Sequence, residues 1–295
     1  MLSYQHEYHA GNHADILKHV CLCAILDSLA KKEKPFTLID THAGAGRFNL
    51  DDSRLLKTGE AESGIKKLFS SVKEGLKVPK AIQRYMDVEA PYFSSGLYAG
   101  SPEIERLYLR RGDILHLTEM HPEALSSLES NVNEKLITTD GERRQDGKCM
   151  VHGGDSYRTL SSLLPPLVKR GLILCDPSYE DKSDYRQVTE ALKNARRKWN
   201  TAIIALWYPI LERKKNETAQ MLCELEDFSK LGLNPCGCEK FELQIYGPDT
   251  MPDEMKEDSA PHMTGSGMFI INPPWLLKES MTEALDFLGS VFTAG

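Results

Sequence analysis

The tetrad Asp176-Pro177-Ser178-Tyr179 brings a carboxylate, a proline carbonyl and an aromatic ring within four residues. It follows an apolar run, Gly171-Leu172-Ile173-Leu174-Cys175, that reads as a buried strand. A carboxylate and a backbone carbonyl at one strand end can accept both N–H bonds of an exocyclic amino group. Such a nitrogen is a poor nucleophile because its lone pair is delocalised into the ring. Two acceptors draw it toward a reactive geometry and offset the positive charge that develops during attack. An aromatic residue beside them can stack on a base turned out of its helix. On this reading Asp176 and the Pro177 carbonyl are the acceptors, Asp176 orients rather than acts as a strong base, and Tyr179 is the stacking platform. A second tetrad, Asn272-Pro273-Pro274-Trp275, has the same form. Position favours Asp176, which ends the fourth strand counted from the glycine loop, whereas Asn272 ends a late antiparallel strand.

That glycine loop is Asp40-Thr41-His42-Ala43-Gly44-Ala45-Gly46, directly after the apolar run Phe36–Ile39. Glycines there let backbone approach a ligand at the carboxyl edge of a sheet. A dinucleotide fingerprint would need a third glycine where Asn49 stands, and the Gly-Lys-Ser/Thr of a P-loop is absent. What remains is a plain strand-to-loop turn or the loop that methyltransferases use for S-adenosylmethionine (AdoMet), with Gly44 at the cofactor. A second acid is then needed at the end of the next strand to accept from ribose hydroxyls, and Glu119 fits. Asp155, after the third strand, is placed to meet the adenine amino group of the cofactor. Amino-nitrogen methyltransferases carry Asp/Asn-Pro-Pro-aromatic where Asp176 stands, so the two motifs point the same way.

These residues need strand ends to hold them. Asn12 can cap a helix running to Lys34, with Ile16, Val20, Cys23, Leu26 and Leu29 at helical spacing. Residues 50–98 show helical stretches, 62–72 and 81–93, and no strand. From Ser101-Pro102 onward strand and helix alternate: strands at 114–118, 149–152, 171–175 and 201–207, helices at 101–111, 121–132, after Asp155, at 184–199 and at 211–231. Two further strands, 240–246 and 268–271, flank a polar stretch, 247–263, that reads as a loop. The alternation predicts a mostly parallel α/β sheet with an antiparallel pair at its end. Taken with the AdoMet reading of the glycine loop, the expected fold is a Rossmann-like, class I AdoMet-dependent methyltransferase with a seven-stranded, mostly parallel sheet and one antiparallel strand. Residues 1–49 would hold a tail, the first helix and the first strand, residues 50–98 an inserted helical subdomain, and residues 99–295 the remainder.

Composition sets the outer limits. At 295 residues, 41% hydrophobic and 27% charged, the chain is neither disordered, collagenous nor a disulfide scaffold. A net charge of −7 argues against a protein that coats nucleic acid over its whole surface, but leaves room for one basic face. The amino terminus lacks a basic region followed by an apolar one, predicting no secretory leader, and no apolar run is long enough to span a bilayer. Seven scattered cysteines read as reduced thiols of a cytoplasmic protein. Neither the Cys-x-Cys pairs nor the five histidines among the first 42 residues follow zinc-ligand spacing, so no metal is expected.

The segment Ser3-Tyr4-x-His6-x-x-His9-Ala10-Gly11-Asn12-His13-Ala14-Asp15-x-Leu17-Lys18-His19, with 40–46 after it, strongly resembles the RlmJ family, the 23S rRNA (adenine(2030)-N6)-methyltransferases of bacteria. The likeness continues through Gly100-Ser101-Pro102, 117–122, 170–174, Ala205-Leu206-Trp207-Tyr208-Pro209 and 267–275, and so spans essentially the whole chain. It implies a monomer with no obligate protein partner that binds AdoMet and 23S ribosomal RNA and methylates N6 of one flipped adenine. Lys18, His19, His42, Ser101, Glu119, Asp155 and Ser156 would contact AdoMet, and Asp176 would be catalytic. Tyr4 would contact RNA, assisted by His6 and Lys18. Ser178 replaces the usual second proline, and Ser156 stands where glycine is common. Basic residues open to RNA would be Lys18, Arg47, the Arg106/Arg110/Arg111 group and Arg213-Lys214-Lys215. The same tetrad logic also serves DNA adenine-N6 methylation, and Ser178 leaves open a silent RNA- or AdoMet-binding module.

Overall fold

The computed structural model describes residues 9–73, 76–211, 214–231, 234–247 and 263–293. Eleven strands lie among them: β1 Thr37–Asp40, β2 Arg47–Asn49, β3 Leu97–Ala99, β4 Ile114–Glu119, β5 Leu136–Thr138, β6 Gly141–Arg143, β7 Lys148–Gly153, β8 Gly171–Cys175, β9 Ile203–Leu211, β10 Cys238–Gln244 and β11 Met263–Ile271. Seven form one sheet in the order β10-β11-β9-β8-β1-β4-β7. Only β11 runs against its neighbours, antiparallel to both β9 and β10. This is the expected seven-stranded, mostly parallel sheet with one antiparallel strand. The strand order reverses between β1 and β8, so the carboxyl ends of those two strands open the crevice where such folds bind ligands. Asp40 ends one and Asp176 follows the other.

The helices are α1 His13–Ala30, α2 Ser53–Thr58, α3 Lys67–Lys73, α4 Lys80–Ser94, α5 Ser101–Tyr108, α6 Pro122–Asn133, α7 Ser156–Leu163, α8 Lys182–Lys198, α9 Lys215–Leu231 and α10 Leu277–Phe292, with a single π turn at Glu62–Lys66 before α3. Helix α1 starts where expected: the Asn12 side chain accepts from the amides of Ala14 and Asp15, both at 2.9 Å. It is buried nearly all round, as a helix apolar on every side must be. It lies between the sheet and a layer of α4, α5 and α10. The other face of the sheet is covered by α7, α8 and α9. Each central strand feeds both cores by alternation: Leu38 and Leu172 point to the α1 side, Ile39 and Ile173 to the α8 side.

Several boundaries differ from expectation. Helix α1 stops at Ala30, four residues early, because Lys31–Lys34 have no apolar face to bury and lie exposed. Residues 50–98 are not free of strand: β3 pairs antiparallel with β2 and closes the neck of the insertion. The strand expected at 201–207 continues through Tyr208-Pro209-Ile210 to Leu211 because β11 pairs along its whole length, and α9 begins only at Lys215. The β5–β6 hairpin and α10 are elements that the sequence reading does not include. Most of the anticipated 247–263 loop, residues 248–262, lies outside the described residues.

Candidate active site

Strand β1 delivers Asp40, fully buried. One oxygen accepts from the His42 amide at 3.0 Å and the other from the Ser101 hydroxyl at 2.6 Å. The carboxylate thus ties the glycine loop to the first residue of α5. Burial pushes its pKa up to about 6, against the lowering effect of those hydrogen bonds. Gly44 adopts φ +61°, a backbone state costly for other residues. That turns its amide onto the Glu119 carboxylate at 2.8 Å. The other Glu119 oxygen accepts from the Met120 and His121 amides at 2.8 and 2.6 Å. The carboxylate that ends β4 is therefore held by three backbone amides. Asp155 caps α7 through the Arg158 amide at 2.8 Å, leaving the exposed carboxylate at the mouth and Ser156 buried beneath it.

The floor is an ion-paired triad. Lys18 lies between Asp15 at 2.8 Å and Asp176 at 2.5 Å, and its side chain is 5% exposed. Burial works to lower the lysine pKa, but the two carboxylates outweigh it and hold the ammonium firmly protonated. His19, one residue on, hydrogen-bonds the Tyr98 hydroxyl at 2.7 Å, so the inserted segment helps place it. His42 packs edge-on to Tyr157 with centroids 5.6 Å apart. Its own burial pushes its pKa down to about 4, keeping the imidazole neutral at pH 7.

These residues converge on one cavity of about 300 Å³, lined by Lys18, His19, His42, Gly44, Ser101, Glu119, Asp155, Ser156, Asp176 and Pro177 among others. Every expected cofactor residue borders it. The lining mixes strand-end acids with Ala43, Ala45, Phe48 and Ala124. A Cβ on Gly44 would meet nothing nearer than Phe48 at 3.7 Å, so the glycine leaves open space beside the loop. Carboxylates for a diol and amino groups, apolar walls for a flat ring and an open glycine cradle fit AdoMet.

Tyr179 is the exception. It is 3% exposed and absent from the cavity wall. Its hydroxyl donates to the Trp207 carbonyl at 3.0 Å, and its ring packs on Tyr185 at 4.7 Å. With φ +52° and Lys214 donating to its carbonyl at 3.0 Å, it pins the turn from below rather than offering a face to the cavity. The aromatic residues that border the cavity are Trp207 and Tyr157, with Phe48 on the apolar wall. Sequence reasoning passes over all three, although Trp207 sits in the quoted 205–209 block of β9.

The second tetrad lies at the opposite edge of the sheet, because β11 is antiparallel. Asn272 bonds the carbonyls of Thr201 and Ala202 at 3.1 and 3.2 Å, at the start of β9. Two basic candidates for RNA are also structural. Arg106 is 1% exposed and bound to Glu103 and to the carbonyls closing α6. Arg47 pairs with Glu103 and Glu134 at 2.9 and 2.7 Å. Their place among charged helices and loops suits solvent-facing positive charge, but both neutralise buried Glu103. Tyr4, His6 and Arg213 lie outside the described residues. Among the described residues no group of three or more metal-ligating side chains occurs, and no helix is long and apolar enough to cross a membrane.

A family model described as ribosomal RNA large subunit methyltransferase D, RlmJ, matches residues 33–294. The ribosomal RNA large subunit methyltransferase J of Escherichia coli K12 is 38% identical over 293 residues, covering 98% of this chain and 94% of that one. The protein of the same name from Haemophilus influenzae is 36% identical over 292 residues, covering 98% and 93%. A crystal structure of a Legionella pneumophila protein superposes with a TM-score of 0.78 at 31% identity, covering 97% of this chain and 95% of that one.

Proposed function

The chain belongs to the RlmJ family of ribosomal RNA large-subunit methyltransferases, and from that premise we propose that it methylates N6 of a single adenine of 23S ribosomal RNA, taken into the cavity as a flipped-out base. The reading rests above all on the meeting of Asp176 and Pro177 with Gly44, Glu119 and Asp155 around one cavity. AdoMet, when bound, supplies an electrophilic methyl group on a sulfonium. Glu119 would hold the ribose hydroxyls and Asp155 the adenine amino group, while Lys18, His19, His42, Ser101 and Ser156 complete the cofactor's surroundings. For the nitrogen that attacks, Asp176 Oδ1 and the Pro177 carbonyl are the acceptors. Oδ2 stays on Lys18, which fixes the carboxylate's orientation. Transfer is direct, and the proton leaves the nitrogen after the methyl arrives, so no strong base is needed.

The burial of Tyr179 changes one part of this picture. Its role in the proposal is to hold the Asp176-Pro177 turn, while Trp207 offers the aromatic surface at the level of the target base. Tyr4 and His6 would close over the RNA from the amino terminus. The protein works as a monomer in the cytoplasm on this reading.

The test is to map N6-methyladenine in 23S RNA from cells with and without the protein, then restore wild type or Asp176→Ala. The expected outcome is one adenine that loses its methyl group and regains it with wild type only. In vitro, Asp176→Ala should lower the transfer rate by about 10²–10³-fold, the scale of losing one placed acceptor, and DNA of the same sequence should not be methylated. An adenine that stays methylated without the protein, or full activity of Asp176→Ala, overturns the proposal.

A further inference from the structure

We infer that the edge of the sheet opposite the cavity is a second RNA-binding surface, which takes the phosphodiester backbone of another segment of the folded substrate and stacks an unpaired base on Trp275. This goes beyond the catalytic reading but rests on it for the identity of the substrate as a large RNA.

The edge is built from the loops that enter the parallel strands. Lys31, Lys32 and Lys34 precede β1, Arg110 and Arg111 precede β4, and Lys169 and Arg170 precede β8. Hydrogen bonds join these loops into one surface. Arg110 donates to the carbonyls of Ala30 and Lys32 at 3.2 and 3.0 Å. Arg170 donates to that of Lys34 at 2.7 Å and to that of Leu29. The two guanidinium groups lie over the Phe36 ring, at 5.1 and 5.9 Å from its centroid. Thr201 donates to the Lys169 carbonyl at 2.7 Å, and Asn272 to that of Thr201, carrying the surface on to Trp275.

Two features separate this edge from an ordinary solvated face. Lys31, Lys32, Lys34, Arg111 and Lys169 have no ion-pair partner among the described residues and are exposed. They stand on loops fixed by Arg110 and Arg170, whose acids are Glu33 and Asp113, the latter buried and held by Arg110. The loop entering the parallel strand β7 adds one exposed acid, Asp146, between the exposed Arg144 and Lys148. Trp275 is 86% exposed, so its ring is open to a stacking base. Clustered cations on the same edge as an open aromatic ring suit a phosphodiester chain with a base to stack. The opposite edge is acidic, with Asp155, Asp176, Glu180, Asp181 and Asp184 bordering the cavity. A polyanion held only at the cavity would meet repulsion there, and the basic edge supplies the missing attraction. The edges are a strand length apart, roughly 15–20 Å at about 3.3 Å per residue, so one folded RNA can engage both.

The test uses the full chain and two probes: an unmodified 23S transcript and an RNA duplex of about 20 base pairs without the target adenine. Affinity is measured between about 50 and 300 mM salt. For Lys34→Glu/Lys169→Glu, both probes should bind at least about tenfold more weakly, with the slope of log K against log salt smaller by about 1.5, the loss of two phosphate contacts. Trp275→Ala should weaken the transcript about tenfold and leave the duplex unchanged, since only the transcript has bases free to stack. AdoMet binding and thermal unfolding should match wild type in both variants. Unchanged affinity and slope on both probes overturns the inference, as does tighter binding to phosphatidylglycerol vesicles than to either RNA. If wild type transfers no methyl group yet the slope falls as stated, the catalytic reading fails and this surface stands.

Discussion

Glu105 shows how far chemistry at single residues is hidden from the chain alone. It sits on α5 among charged neighbours in the sequence, yet it is fully buried and neither carboxyl oxygen has a hydrogen-bond partner among the described residues. Burial, then the nearby Asp40 charge, pushes its pKa well above the ordinary value. The folded protein therefore keeps a proton that the unfolded chain releases above about pH 4.3. Because the folded state binds more protons there, this group's contribution to stability falls as pH rises. Replacing it with leucine removes both the unsatisfied group and the titration. Glu105→Leu should raise stability by about 1–3 kcal/mol, with the gain over wild type larger at pH 8 than at pH 5 in denaturant titrations. A gain that does not change with pH would mean that the carboxyl is not titrating where it lies. The strand-end acids are legible in sequence because a carboxylate closing an apolar run has few structural uses. Tyr179 is not, because an aromatic residue after Asp-Pro can stack on a ligand or bury itself. Only the φ +52° turn and the bond to Trp207 decide for burial.

Among the elements, the inserted segment acts directly on the helix that supplies Lys18 and His19. Glu60 accepts from the Asn12 side chain at 2.8 Å and pairs with His9 at 2.8 Å, gripping the residue that caps α1. Gly64, in the π turn, lies against that same capping segment: a Cβ there would fall 2.1 Å from the Gly11 carbonyl oxygen and 2.8 Å from the Asn12 Cα. Backbone cannot yield as a flexible side chain can, so Gly64→Ala must displace the start of α1 and with it the Lys18–Asp176 contact. We expect a loss of about 1–3 kcal/mol from overpacking and weaker AdoMet binding measured by calorimetry. Wild-type stability together with wild-type cofactor affinity would show that the segments are not coupled. This dependence is illegible in sequence. Helix periodicity locates the stretches near 62–72 and 81–93, and alternation locates the sheet, because both patterns reflect burial repeating along one element. The β2–β3 neck, three residues a side, is too short to show a period. The extension of β9 to Leu211 is set by its partner β11, whose pairing is not a local property.

For the whole molecule, the question is whether residues 50–98 form a unit of their own. Ile65, Leu68, Ile82, Tyr85 and Tyr92 of the insertion share one continuous core with Leu17, Val20 and Leu26 of α1 and Leu38 and Leu115 of the sheet. Tyr92 also donates to buried Glu103 of α5 at 2.7 Å, and the Ala99 amide, beyond the insertion, donates to Glu89 inside it at 3.1 Å. An insertion with its own core would leave the α1 face of the sheet covered when removed. Losing this one would expose that face, take Tyr92 from Glu103 and Tyr98 from His19, and release the Glu60 grip on Asn12. The expectation is a single cooperative unfolding transition, with calorimetric and van't Hoff enthalpies equal. Near-ultraviolet signals from the insertion's tyrosines and far-ultraviolet signals from the sheet and helices should share that midpoint. Excising residues 50–98 should give a chain that does not fold, rather than a smaller methyltransferase. Two resolved transitions, or a folded excision variant that binds AdoMet, would instead make the insertion an independent appendage, and the coupling of Gly64 and Glu60 to the floor of the cavity would then have to be local to the α1 terminus.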